Sequence, residues 1–124
     1  MDPNGGKKRI FNKLNKQQTI AKIESESFKR KTVSFYRYVI LESPFQLRDQ
    51  LYVHWTELGV LGRIYLAHEG VNAQLSVPEH NWEAFVKNVH ANEYFAAMPF
   101  KIAVEDGGQS FFKLTIKVRN QIVA

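Results

Sequence analysis

The sequence predicts an α+β domain in which two helices cover one face of an antiparallel sheet. Segments in which apolar and polar residues alternate predict strands, and segments with apolar residues three and four positions apart predict helices. These segments follow in the order strand, helix, strand, strand, helix, strand, with one further C-terminal strand. This order is that of the ferredoxin-like fold. At 124 residues and 44% hydrophobic content, the chain suits one domain with one core.

A hairpin over residues 61–78 is the clearest element of the chain. Both of its strands alternate apolar with polar side chains, which predicts one buried and one polar face. The turn is placed at Glu69 and Gly70, because glycine adopts the positive φ that a short hairpin loop requires. The polar face of this hairpin carries Arg63, Tyr65, Asn72, Gln74 and Ser76.

The strands on either side of the hairpin show the same alternation. Residues 32–41 are rich in β-branched and aromatic side chains and predict the first strand. Alternate residues of a strand point to opposite faces, a rule that we call strand parity. Parity places Arg37 on the core side of this strand and both Tyr36 and Tyr38 on its other side. Residues 101–105 and 112–119 predict the last two strands, and Lys113, Thr115, Lys117 and Arg119 share the polar side of the final one.

Two helices are predicted to cover the apolar face. The first has Ser43 as its cap and Pro44 at its first position, and it ends at Gly59. The second is predicted to open at Pro78. The predicted core draws on both helices and the sheet: Trp55, Trp82, Phe85, Leu66, Leu75, Leu114 and Ile116.

The positive charge is concentrated at the N-terminus. The net charge is +5, but residues 1–31 hold nine basic and three acidic residues, so the remainder carries a net charge of −1. We expect residues 1–14 to form a disordered basic arm, residues 15–31 a short helical extension, and residues 32–124 the ferredoxin-like domain. The arm is consistent with two roles, solubility or contact with phosphate backbones.

Several kinds of chemistry are excluded by composition. The chain has no cysteine, so it contains no disulfide, thiolate nucleophile or cysteine-based metal site. The four histidines lack metal-ligand spacing, so no metal or cofactor is expected. His68 and Glu69 are interpreted as solvated turn residues rather than as an acid–base pair. Without a long apolar segment, the chain is expected to be cytoplasmic and free of membrane contact.

The polar side of the predicted sheet is the candidate functional surface. Aromatic rings interleaved with cations suit unstacked bases and phosphates. A polar face exposed only to water explains the pattern equally well, and the signature of the standard RNA-recognition motif is absent. Parity gives this surface Tyr36, Tyr38, Arg63, Tyr65, Asn72, Gln74, Lys113, Lys117 and Arg119.

Three runs of residues carry a family resemblance: SFYRYV, GRIYLAHEGVNAQLSVP and SFFKLTIKVRNQIVA. Over about residues 32–124 the chain resembles the N-terminal domain of the rhodanese-related tRNA uridine hydroxylases (the TrhO or UPF0176 family). The resemblance implies an acylphosphatase-like fold and, for the full-length enzyme, oxygen-dependent 5-hydroxylation of the wobble uridine of certain tRNAs. It implies that this domain helps to position tRNA.

The resemblance also implies a rhodanese domain that follows and carries the active-site cysteine. That domain is absent from this chain, so the fragment alone is expected to have no catalytic residue and no activity. The expected partners are tRNA and the missing rhodanese domain. The candidate RNA-binding residues are Arg63, Lys113, Lys117 and Arg119 for phosphates, Asn72 and Gln74 for hydrogen bonds, and Tyr36 and Tyr38 for stacking.

Two other functions remain open. The first is an acylphosphatase-type hydrolase, since Asn72 lies on a strand near the position of that enzyme's asparagine. Against it, residues 41–44 offer no glycine-rich phosphate loop, and Arg48 falls inside a helix. The second is a non-catalytic module that binds a protein or a small ligand through the same face.

Overall fold

The structure is a computed structural model that describes residues 17–18, 26, 28–103 and 111–122. The predicted basic arm lies outside these residues. So does most of the predicted helical extension over residues 15–31. Of its described residues, Gln17 and Gln18 are helical, whereas residues 26 and 28–29 are not, and Arg30 and Lys31 already belong to the first strand, so the extension ends earlier than predicted. The elements of the described ranges are β1 (Arg30–Tyr38), α1 (Pro44–Glu57), β2 (Leu61–Ala67), β3 (Gly70–Pro78), a 3₁₀ turn (Glu79–Asn81), α2 (Trp82–Ala91), β4 (Lys101–Ile102) and β5 (Leu114–Val118).

The five strands form one sheet in the order β4-β1-β3-β2-β5. The first four are antiparallel neighbours, as the ferredoxin-like fold requires. β5 adds to the outer edge of β2 in the parallel sense. The predicted α+β fold is therefore confirmed, and the sheet is mixed rather than antiparallel throughout.

Both helices pack on the same face of this sheet. Their buried side chains join the alternate strand residues in one hydrophobic cluster. Trp55 of α1 and Phe85 of α2 lie 5.4 Å apart between ring centroids, and the Trp55 indole N–H donates to Asn88 Oδ1 at 2.9 Å. Six of the seven predicted core residues are buried, whereas Trp82 is partly buried at the edge of the cluster. Burial of such side chains stabilises the fold by about 1.5–3 kcal/mol each.

The hairpin turn differs by one residue from its prediction. The loop is His68–Glu69, and Gly70 is the first residue of β3. Gly70 has a φ of 154°, and a Cβ at this position would overlap the carbonyl oxygen of Arg37 on the neighbouring strand. The glycine is thus needed for the close approach of β1 and β3.

The helix starts show one success and one error. α1 begins at Pro44 as predicted, although the Ser43 side chain forms no capping hydrogen bond. α2 begins at Trp82, four residues later than predicted, because Pro78 completes β3 and a 3₁₀ turn follows.

Arg37 lies on the helix-covered side, where parity placed it. Its Nη1 donates to the carbonyl oxygens of Tyr94 and Ala96, at 3.2 and 2.9 Å. The side chain therefore ties the connection between α2 and β4 to β1, and these two bonds explain a cation among core positions.

Candidate nucleic-acid interface

The face opposite the helices carries the polar positions of all five strands; we call it the open face. Strand register aligns one side chain from each strand in a single row across the sheet, and neighbours in such a row lie about 4.8 Å apart. That row is Lys101, Ser34, Gln74, Arg63 and Thr115, and the next is Tyr36, Asn72, Tyr65 and Lys117.

Two further cations extend the open face beyond β5. The Gly62 N–H donates to the Lys113 carbonyl, and the Arg119 N–H donates to the Leu66 carbonyl, so both residues continue the parallel ladder. The Arg119 guanidinium lies 4.5 Å from the centroid of the Tyr65 ring. The structure thus brings the eight candidate residues to one face, and their role in RNA binding stays a prediction.

The strands give the open face positive charges and no negative ones. The five strands contain no aspartate or glutamate, and their basic residues on this face are Arg30, Arg63, Lys101 and Lys117. Arg30 is neutralised by Glu26, with a contact of 2.7 Å. Within the described part of the chain, no carboxylate pairs with Arg63, Lys101, Lys113, Lys117 or Arg119. The open face therefore presents uncompensated positive charge, which attracts anionic polymers.

Aromatic rings stand beside these cations. Tyr36 and Tyr38 are 66% and 62% exposed, and they occupy alternate positions of β1 on the same face. Residues two apart on a strand are separated by about 6.4–6.8 Å. Two rings at this spacing form a platform on which bases stack without sequence preference.

The C-terminal segment covers one end of the open face. The Asn72 side-chain amide donates to the Ile122 carbonyl at 3.2 Å, and the Ile122 N–H donates to Glu69 Oε1 at 3.1 Å. Ile122 is only 3% exposed. Asn72 and Glu69 thus anchor the segment around Ile122, an arrangement that the alternation of strand residues did not reveal.

The other end of the open face holds a cleft of about 230 Å³. It contains Phe111, whose ring centroid lies 5.9 Å from the Arg63 guanidinium. Its lining is Thr32, Val33, Ser34, Gln74, Lys101, Ala103 and Phe111. Sequence reasoning missed Lys101 as a site residue, although its alternation with Ile102 places it on this face. No sequence pattern indicated Phe111.

The loop after β1 does not form a phosphate cradle. The Val39 and Leu41 N–H groups donate to the carbonyls of Glu69 and His68, both at 2.9 Å. Arg48 is buried in α1 and pairs with Asp49 at 2.6 Å. The groups that an acylphosphatase-type site would use are therefore engaged in structural contacts.

Metal and membrane features are likewise missing from the described residues. These residues contain no cluster of three or more histidine, aspartate or glutamate side chains that would hold a metal ion. No helix among them is long and apolar enough to cross a membrane.

Fold and site together define a ferredoxin-like α+β domain with a cationic, partly aromatic sheet face. A family model described as the UPF0176 acylphosphatase like domain matches residues 30–122. The chain belongs to this family.

Curated relatives carry the name tRNA uridine(34) hydroxylase. One from Leptospira interrogans is 53% identical over 118 residues, which is 95% of this chain and 32% of the relative. One from Salmonella arizonae is 44% identical over 116 residues, which is 93% of this chain and 33% of the relative. The chain spans about a third of the length of the curated relatives it matches.

A solved structure supports the fold. The dark-state structure of BlrB, a BLUF protein, aligns with a TM-score of 0.53 and covers 76% of each chain. At 11% identity this similarity concerns the backbone architecture alone.

Proposed function

We propose that this chain is the tRNA-positioning domain of a tRNA uridine(34) hydroxylase, and that its open face holds the tRNA. The name of the relatives supports the substrate. The observation that supports this role of the domain is the positive charge of the open face, for which the described residues offer no carboxylate partner apart from Glu26 at Arg30. In this proposal the domain acts in the cytoplasm with the rest of the enzyme.

The open face offers three kinds of contact to RNA. Arg63, Lys113, Lys117 and Arg119 bind backbone phosphates, because no described carboxylate competes for them. Tyr36 and Tyr38 stack on unpaired bases. Gln74 is exposed and supplies both a donor and an acceptor. Asn72 has an indirect role, since its amide already holds Ile122 in place.

The hydroxylation step is assigned to the part of the enzyme outside this chain. The chain has no cysteine, and its resemblance to the family implies a cysteine-bearing rhodanese domain. The expected division is that this domain raises tRNA affinity and the rhodanese domain performs the chemistry.

Removal of two charges from the open face tests the proposal. The Lys117→Ala, Arg119→Ala double variant should weaken tRNA binding and lower the slope of log affinity against log salt by about 1.4–1.8, because each lost phosphate contact releases fewer counterions. Fluorescence anisotropy over a series of salt concentrations measures both. In the natural full-length protein, hydroxylation should fall through KM rather than kcat.

Lys87 provides a matched control, because it is an exposed lysine of α2 on the helix-covered side. Lys87→Ala removes the same charge as Lys117→Ala and should leave the salt slope unchanged. If the double variant folds and keeps both its affinity and its slope, the open face is only a solvated surface. The arm from Lys7 to Lys16 then becomes the better candidate.

A further inference from the structure

We infer that the cleft between β4 and Phe111 is a subsite for one unstacked nucleotide of the bound RNA. This inference deepens the proposed function and rests on it. The charges of the open face indicate only where phosphates bind. The cleft would add to this surface a pocket the size of one base, with side chains that form hydrogen bonds.

The size of the cleft favours one ring system. Its volume of about 230 Å³ is well above the roughly 30 Å³ of a single water molecule. It is below the roughly 300–1,000 Å³ of pockets that enclose drug-sized ligands. One planar base fits this range, with its ribose and phosphate left at the rim.

The cleft carries polar side chains within a lining that is mostly apolar. Ser34 and Gln74 are direct neighbours across β1 and β3 and both line it. The Gln74 amide has a donor and an acceptor side by side, which matches the paired donor and acceptor groups on a base edge. The Thr32 Oγ1, in the same wall, is buried and has no hydrogen-bond partner among the described residues. A polar ligand gains from such a group if Thr32 changes rotamer.

An aromatic wall and two cations complete the subsite. Phe111 provides a ring for stacking, and the Arg63 guanidinium supports that ring from the sheet. Lys101 lines the opposite rim. Lys101 and Arg63 lie at two positions of one row, three strand spacings or about 14 Å apart, with Ser34 and Gln74 between them. A base on the floor would therefore have a cation on each side for its flanking phosphates.

A pair of short RNAs tests the subsite independently of tRNA binding. The probes are a uridine pentamer and the same pentamer with an abasic central nucleotide, which keeps every phosphate. The 124-residue chain should bind the intact pentamer about 5- to 150-fold more tightly, the usual range for one stacked base. Nuclear magnetic resonance should show shifts of the Gln74 side-chain amide and the Ser34 and Lys101 backbone amides with the intact pentamer.

Variants assign the difference to the cleft. Gln74→Ala and Phe111→Leu should reduce binding of the intact pentamer and leave the abasic pentamer unaffected, because both side chains contact only the base. Lys117→Ala, outside the cleft, should reduce binding of both probes equally. Gln74 is exposed, so its variant reports on binding even if Phe111→Leu disturbs the fold.

Equal binding of the two pentamers, no binding of either, or shifts confined to Tyr36 and Tyr38 would overturn the subsite. If the pentamers bind equally while the Lys117→Ala, Arg119→Ala variant loses tRNA affinity, the proposed function stands and the subsite is wrong. If the pentamers differ and the double variant keeps its tRNA affinity, the cleft binds a nucleotide and the proposed phosphate contacts fail.

Discussion

The two faces of the sheet are made by the same strands and differ in almost every physical property. The helix-covered face is mostly apolar, and Ile64, Leu66 and Leu75 are 0% exposed there. The open face carries exposed tyrosines and cations that, apart from Arg30, pair with no carboxylate among the described residues. Successive side chains of a strand point to opposite faces of the sheet. The contribution of a residue to stability or to function therefore depends on the face it lies on rather than on the segment it belongs to.

This division predicts opposite outcomes for adjacent residues, and the largest effect is expected at Leu75 and Gln74 of β3. Leu75→Ala should cost about 2–5 kcal/mol of unfolding free energy, because it leaves a cavity in the core. Gln74→Ala should stay within about 0.5 kcal/mol, as for most exposed positions. Urea unfolding followed by tryptophan fluorescence measures both. Similar costs for the two variants would mean that the faces are not energetically distinct.

A second, smaller loss is expected at Gly70, where the backbones of β1 and β3 leave no room for a side chain. Gly70→Ala should cost about 1–3 kcal/mol, because φ is 154° and the new Cβ meets the Arg37 carbonyl. Gly59→Asn is the comparison, since Gly59 has a left-handed φ of 73° that asparagine tolerates, and its new Cβ would meet only the Pro78 side chain, at 3.2 Å, rather than backbone. The midpoint temperature of thermal unfolding, measured for both variants and the parent, compares their stabilities. A Gly70→Ala variant as stable as the parent would show that the strands can separate there without cost.

The smallest difference in unfolding free energy is expected between variants of a buried and an exposed tyrosine. Tyr52 is buried on the helix side and donates to the Leu114 carbonyl at 3.1 Å, so Tyr52→Phe should cost about 0.5–1.5 kcal/mol. Tyr36→Phe on the open face should cost nothing measurable. Urea unfolding at pH 8 quantifies the two variants side by side.

The burial of Tyr52 also predicts that the stability of the fold depends on pH. Desolvation by burial raises the pKa of Tyr52 above its ordinary value of 10.0. The unfolded chain therefore loses this proton at a lower pH than the folded one, and stability falls as pH rises above about 10. Tyr52→Phe should reduce this alkaline loss. Parallel pH profiles for the parent and Tyr52→Phe would contradict the burial argument.

Most of the fold followed from the sequence, because alternation in strands and a helical stripe are local properties. Parity placed even Arg37 on the correct side, although its partners at Tyr94 and Ala96 were invisible in the sequence. The start of α2 was wrong because proline suits both a strand end and a first helical turn. The parallel pairing of β5 with β2 depends on long-range register, which no local pattern encodes.

The candidate site was predictable only in part, for a related reason. Period two identifies which side chains share a face, so Arg63, Gln74 and Lys117 were found together. This alternation does not predict which segments outside the strands fold over that face. Phe111 and Ile122 lie outside the strands, and their contacts with Arg63 and Asn72 join residues about 50 positions apart. Neither contact has a sequence signature.

Lysine acetylation of the chain with and without tRNA tests the central claim most directly, because lysines report on both faces in one sample. The account predicts that tRNA protects Lys101, Lys113 and Lys117 on the open face and leaves Lys87 of α2 as reactive as before. Mass spectrometry of the modified peptides quantifies each site. Equal protection of Lys87, or protection confined to the lysines of residues 7–16, would contradict the assignment of RNA binding to the open face.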